Sequence, residues 1–180
     1  MRIDGKEIYL RPFEMSDAEA LFELQIRNRE LFQRTAPTQP ENFYTLECQQ
    51  DYIKNGIEQQ ENGQRFGFGI FLKQSDQLIG NIMIANIRRG PSQSCIMGYS
   101  LDQAYNGRGY TTEAVSYVLN FAFHELKLHR VEAGVMPSNT GSIRVLEKSG
   151  FTREGLSREN LEINGKRESH YMFSKLVTDL

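Results

Sequence analysis

The stretch Tyr105-Asn106-Gly107-Arg108-Gly109-Tyr110-Thr111-Thr112-Glu113-Ala114 sets two glycines and an arginine between an apolar run and a run of helical spacing. Gly107 and Gly109 free the backbone where a helix begins, which turns unpaired N–H groups and the positive end of the helix dipole outward. Such a turn receives an anion. Pyrophosphate, rich in oxygens, is its natural occupant, and Arg108 is placed to add a charge contact. A plain helix-initiating turn would use the same residue types. Two familiar phosphate motifs fail on spacing: Gly-x-Gly-x-x-Gly would need glycine where Thr112 stands, and no Gly-x-x-x-x-Gly-Lys-Ser/Thr occurs. Neither NAD nor ATP is indicated.

The elements around this turn follow from hydrophobic period. Residues 7–13 read as an opening strand, and Ser16 with Glu19 has capping-box spacing ahead of Leu21 and Leu24, which predicts a helix near 16–29. Pro37 and Pro40 keep the next stretch irregular, while Leu46, Ile53 and Ile57 predict a second helix ending before Asn62-Gly63. Strands follow at 65–73, 77–87 and 94–101, the first two as an antiparallel pair. Val115, Val118, Leu119, Ala122 and Leu126 then continue in helical spacing, so the glycine turn lies at a strand-to-helix junction. A strand at 129–136, a short helix around Ile143, Val145 and Leu146, and a hairpin turning at Asn164-Gly165 complete the order. This order predicts a mixed α/β (α+β) sheet of about seven strands, mostly antiparallel and flanked by helices, in one domain over residues 1–180.

Composition narrows the classes. Hydrophobic residues make up 39% and charged residues 24% of 180, with no apolar run near the ~20 residues a bilayer needs. The N-terminus lacks a secretory apolar core, so a cytoplasmic protein with no membrane partner is expected. A net charge of -2 gives no basic field for a phosphate backbone, and no direct nucleic-acid contact is expected. Cys48 and Cys95 form no Cys-x-x-Cys and read as small buried hydrophobes; His124, His129 and His170 have no metal-ligand spacing, so no metal is expected.

"YNGRGYTTEA" resembles the acetyl-CoA pyrophosphate loop of the GNAT N-acetyltransferases, Gln/Arg-x-x-Gly-x-Gly/Ala, with Asn106 in the first place, Gly109 at the central glycine and Thr111 in the last. "IMGYSL" is similar to the strand that precedes that loop, and "MPSNTGSIRVLEKSGF" to the downstream Asn-x-x-Ser and Lys-x-Gly-Phe segment. The likeness runs over nearly the whole chain and is to the ribosomal-protein-alanine (RimJ/RimL-type) branch; where that branch commonly has tryptophan in its proline loop, on the acceptor side, Thr35 stands here.

The resemblance implies the GNAT fold, acetyl-CoA as co-substrate, and direct attack by an acceptor amine on the thioester in a ternary complex. It assigns cofactor contacts to Met97, Tyr99 and Leu101 on the strand before the loop, to Asn106, Gly107, Arg108, Gly109, Tyr110 and Thr111 in it, and to Asn139 and Ser142 beyond. The Met97–Leu101 N–H groups are candidates for the oxyanion, although pairing within a sheet would also occupy them. Ser142 is placed to give a proton or a hydrogen bond to the leaving thiolate, and both Asn139 and Ser142 also suit helix capping. Glu162, beside the Asn-Gly turn, is the candidate base; the same turn sets it opposite Arg167 as an ordinary cross-strand pair. An α-amine near pKa 7.8 is about one third neutral at about pH 7.5, whereas a lysine near 10.4 is ~0.1% neutral, so an N-terminal acceptor demands little of a base. The leading expectation is therefore acetylation of a protein N-terminus, of a ribosomal protein by resemblance. A small amine (polyamine, amino acid or aminoglycoside), drawn by Glu41, Glu47 and Asp51, is the enzymatic alternative, and a non-catalytic acetyl-CoA sensor is the third. Oligomeric state, a homodimer included, stays open.

Overall fold

The computed structural model describes residues 1–180 and contains a mixed eight-stranded sheet in the order β1-β2-β3-β4-β5-β6-β8-β7. The strands are β1 (Ile3–Asp4), β2 (Ile8–Pro12), β3 (Phe66–Leu72), β4 (Leu78–Arg88), β5 (Ser94–Leu101), β6 (Arg130–Val135), β7 (Thr152–Ile163) and β8 (Lys166–Leu176). The helices are α1 (Ala18–Arg27), α2 (Arg29–Gln33), α3 (Leu46–Glu61), α4 (Tyr110–Asn120) and α5 (Thr140–Lys148). The strand beyond the expected number is β1, whose two residues pair with Leu10 and Tyr9 and are too few to carry a period.

Every neighbouring pair is antiparallel except β5 with β6. The two faces of the sheet carry separate cores. Ile82, Ile84, Cys95, Met97, Val131, Ala133 and Val135 pack with Ala114, Val115 and Val118 of α4. On the other face, Tyr9, Phe71 and Leu78 pack with Leu21, Leu24 and Ile53 of α1 and α3. The apolar spacing that marks each helix is the stripe it buries. No helix is long and apolar enough to cross a membrane.

The first helix begins differently from its sequence signal. Asp17, not Ser16, closes the entry: its carboxylate accepts from the Glu14 N–H at 2.8 Å and holds the Arg11 guanidinium at 2.7 and 2.8 Å. A charge-assisted, bidentate partner outcompetes a hydroxyl cap. The α5 cap is as read, with Asn139 Oδ1 accepting from the Ser142 N–H, and α3 is capped by Thr45, whose Oγ1 accepts from the Cys48 N–H. Cys95 is fully buried, which pushes its thiol up to about 12 and leaves it inert, whereas Cys48 is only half-buried.

Candidate active site

The parallel ladder between β5 and β6 is short. It joins Ser94 to Arg130, Cys95 to Val131 and Ile96 to Glu132, and beyond Ile96 the two strands part. Met97–Leu101 stay paired to β4, and Ala133–Val135 to β8, so a wedge opens in the middle of the sheet. The Asp102 N–H donates to Ile79 O at 2.7 Å. Antiparallel bonding alternates, so from that bond back along β5 the N–H groups of Met97, Tyr99 and Leu101 point away from β4; that of Met97 meets Glu132 O as the last rung of the parallel ladder, and those of Tyr99 and Leu101 point into the wedge. Of the three backbone donors that the sequence singles out, Met97 is thus paired within the sheet, while Tyr99 and Leu101 are left to find a partner in the wedge.

Side chains follow the same alternation. Tyr99 and Met97 pair with Ile82 and Ile84 and face α4, while Gly98 and Ser100 pair with Met83 and Asn81 and face α1 and α3. A cavity of about 530 Å³ runs through the wedge from one face to the other. Tyr99, Asn139 and Ser142 line its α4 side, and Phe32, Phe43, Tyr44, Gln49 and Asn81 are among those lining the other. The residues of the proline loop, Thr35 to Gln39, form part of that second wall. Its rim is closed where the hairpin tip reaches α2, with Asn164 Nδ2 donating to Gln33 O at 2.7 Å.

At the entrance to α4 the backbone is arranged to receive an anion. Gly107 and Gly109 take φ of 78° and 82°, the left-handed region, and a Cβ on either would meet nothing within 4 Å. The N–H groups from Gly107 through Thr112 donate to no carbonyl and no side chain of the protein. A run of free donors at a helix N-terminus, under open space, fits a pyrophosphate. Tyr110 contributes only its backbone there, because its ring is buried in the α4 core. Arg108 lies back over the Tyr105 ring at 5.4 Å, with Nη2 at 3.5 Å from Ala104 O. Asn106 is exposed at the end of the preceding turn.

That turn is braced from below by residues the sequence did not single out. Asp102 is buried, accepts from the Ala104 N–H at 3.0 Å and takes Arg27 of α1 at 2.7 Å. Asn28, also buried, accepts from the Gln103 N–H at 3.0 Å. The junction of α1 and α2, which carries the acceptor-side wall, is thereby bonded to the turn that leads into the glycine loop.

Ser142 has a partner as well. Its Oγ is 2.8 Å from the hydroxyl of Tyr99, a residue the sequence reading valued for its backbone alone. Burial pushes the Tyr99 phenol up to about 12, against the opposing effect of the Ser142 hydrogen bond. A phenol held there lies about 3.5 units above an ordinary thiol near 8.5, so full proton transfer to a thiolate runs uphill by roughly 5 kcal/mol. The pair therefore suits hydrogen bonding to developing negative charge better than giving up a proton.

Glu162 does not join them. It pairs in register with Arg167, stands exposed, and is absent from the cavity wall. Glu41, Glu47 and Asp51 are likewise exposed and outside the wall, which contains no carboxylate at all; Arg65 is its one formally charged side chain. His170 does line the cavity, buried to 4% exposure. His124 and His129 are exposed, and no group of His, Cys, Asp and Glu is assembled to hold a metal.

Known proteins share this fold. Residues 7–152 match the acetyltransferase (GNAT) domain family. The chain is 47% identical over 177 residues to the probable N-acetyltransferase YjcK of Bacillus subtilis (strain 168), covering 98% of each. Among solved structures, the ribosomal-protein-S5-alanine acetyltransferase of Vibrio fischeri superposes with a TM-score of 0.93 at 30% identity, covering 98% of this chain and 96% of that one. Mycobacterium smegmatis RimJ in complex with CoA-disulfide does so with a TM-score of 0.92 at 27% identity, covering 96% and 83%.

Proposed function

The chain belongs to the GNAT acetyltransferase family and is an acetyl-CoA-dependent N-acetyltransferase, and from that premise we propose that residues 1–180 form one catalytic domain acting on the α-amine of a protein N-terminus, a ribosomal protein in first place. The observation that carries this reading is the chemistry of the acceptor-side wall. It offers carboxamides (Gln25, Gln33, Gln39, Gln49, Asn81, Asn164) and aromatic rings, with Arg65 and no carboxylate. Amide groups match the donors and acceptors of a peptide backbone. A polyamine or aminoglycoside brings several positive charges, and this wall gives them no counter-charge, so the small-polycation reading loses the acidic attraction it required.

In the proposed mechanism the coenzyme supplies an acetyl thioester. The free N–H groups from Gly107 to Thr112 hold its pyrophosphate, with Asn106 and Arg108 at the rim. The wedge-facing N–H groups of Tyr99 and Leu101 bind the pantetheine and the acetyl oxygen, and the charge that grows on that oxygen strengthens those bonds. Asn139 fixes the first turn of α5, which presents Ser142 to the sulfur beside the Tyr99 hydroxyl, and in the proposed step the tyrosine takes the donor's part toward Ser142 Oγ, leaving the serine's own hydrogen to stabilise the departing thiolate. A polypeptide N-terminus approaches from the α1–α3 face, where the wall lies. Its neighbours of 25% identity or more include proteins named for acetylating ribosomal proteins, which supports the same acceptor class. The cytoplasm is the compartment such an acceptor requires.

The test is thiol release from acetyl-CoA by the purified protein with an Ala-initiated ribosomal-protein peptide, the same peptide blocked at its N-terminus, and a panel of small amines. Turnover confined to the free N-terminus is the expected outcome. Turnover confined to small amines would overturn the acceptor assignment, and binding of acetyl-CoA without turnover on any amine would return the protein to the sensor reading.

A further inference from the structure

His170 is the buried titratable side chain of the cavity wall that the steps above leave without a task. On β8 it lies two residues before Met172, which pairs with Gly134, so it stands on the α1–α3 face of the sheet, the side from which an acceptor reaches the wedge, opposite the Tyr99–Ser142 pair. It lines the cavity. Its Nδ1 is 2.8 Å from Asn160 Oδ1. A carboxamide oxygen only accepts, so Nδ1 carries the hydrogen and Nε2 the lone pair, and no protein group is bonded to Nε2.

The local backbone is built to make that contact. From Ser157 opposite His170 to Leu161 opposite Glu168, β7 advances further than β8, so Arg158, Glu159 and Asn160 bulge against Ser169. Glu159 takes φ of 47°, left-handed for a residue with a side chain, and its N–H donates to Ser169 Oγ at 2.9 Å. Bulges and left-handed residues re-aim side chains and recur beside reactive sites. Here the result is a carboxamide delivered onto an imidazole facing a reaction cavity.

We propose that His170 accepts the proton of the acceptor ammonium at Nε2, with Asn160 as the positioning residue that fixes its tautomer. The ammonium gives one proton to Nε2; the freed nitrogen lone pair forms the N–C bond as the C–S bond breaks. The second N–H proton ends on the coenzyme sulfur, and the imidazolium returns its proton to water. The proposal rests on transfer to an amine, not on which amine is used. Of the charged groups on the strands around His170, Glu168 is 3.4 Å from Lys166, Glu132 and Glu154 on β6 and β7 both bind Arg130, at 2.8 and 2.6 Å, and Arg153 lies over the Tyr171 ring, while Arg158, Glu159, Glu162 and Arg167 form no ion pair. Arg65 is the remaining charge in the cavity wall.

The experiment compares wild type, His170→Gln, Asn160→Ala and Asn160→Asp with whichever amine supports turnover, so that failure of the N-terminal reading changes the acceptor and not the test. kcat/KM is followed from about pH 6 to about pH 9.5, alongside acetyl-CoA affinity by calorimetry and thermal unfolding. An α-amine near 7.8 is about 14% neutral at pH 7, so losing the proton acceptor costs about sevenfold there and less than about twofold above pH 9. For an alkylamine near 10.4 the corresponding loss at pH 7 is on the order of 10³. Acetyl-CoA affinity stays within about twofold, because His170 lies across the wedge from the cofactor donors. Asn160→Ala gives a smaller loss with the same pH trend, and Asn160→Asp, which still accepts from Nδ1–H, retains more activity than Ala. A deficit that does not change with pH, an equal loss of acetyl-CoA affinity, or no deficit overturns the proposal. Should His170→Gln unfold, exposed Asn160 leaves the fold intact on replacement, and an unaltered pH profile in Asn160→Ala overturns it equally.

Discussion

Replacing Gly109 with valine separates the anion site from the backbone that builds it. Gly109 has φ of 82° and ψ of 1°, a conformation that costs a β-branched residue about 1–3 kcal/mol. No protein atom lies within 4 Å of a Cβ placed there, so the side chain enters only the space above the free N–H groups. If it costs the pyrophosphate two charge-assisted N–H bonds at about 1.5–3 kcal/mol each, affinity falls by ~3–6 kcal/mol, or about 10² to 10⁴ in Kd. The proper control is Gly63→Val: φ is 67°, a Cβ there also meets nothing within 4 Å, and the site lies past the end of α3. Both variants should lose similar stability in urea unfolding, and only Gly109→Val should lose acetyl-CoA binding in calorimetry. Equal affinities in the two variants, at matched stability, would refute the assignment of the pyrophosphate to this turn.

Other expected outcomes follow from single contacts. Tyr99→Phe and Ser142→Ala should each lower kcat about tenfold or more while leaving acetyl-CoA Kd within about twofold, and the double variant should be no slower than the worse single one, since the two hydroxyls act as one unit; additive losses in a double-mutant cycle would count against that. Asp102→Ala removes the Ala104 cap and the Arg27 partner together, so midpoint and slope in urea should report a loss of about 2–3 kcal/mol with weaker acetyl-CoA binding, and a change under about 0.5 kcal/mol would show that the brace is idle. Arg130, then Ser174, hold the Glu154 carboxyl from 4.5 down to about 2. Its folded value is depressed, so the stability it contributes is present above the unfolded value and lost as pH falls from about 4.5 toward 2; wild type should weaken more steeply over that range than Glu154→Gln, and parallel acid-unfolding curves would contradict this. The side chain is 42% exposed, so added salt should shrink the difference.

The amino-acid sequence by itself determined the helices with broad apolar stripes, the hairpin at Asn164-Gly165 and the anion-receiving turn, because each is specified by neighbours within a few residues. Spacing and resemblance also led to the α5 N-cap, where Asn139 and Ser142 sit three residues apart on one turn. Short-range signals could not supply partners. Asn28, Asp102 and Arg27 bond across seventy-five positions of chain, and Tyr99 meets Ser142 only because β5 leaves β6 after Ile96 and turns its side chain toward α5. Ser16 lost its capping role to Asp17 because Arg11, from the preceding strand, stabilises the carboxylate. Glu162 was chosen for its nearness to the turn, and the hairpin registers it against Arg167 instead of the cavity. Counting back from Asn164-Gly165 without interruption would set His170 opposite Glu159; the β7 bulge sets it opposite Ser157 and brings in Asn160. A bulge changes register by an amount no local residue pattern encodes, so which side chains meet around the acceptor was decided by the sheet as a whole.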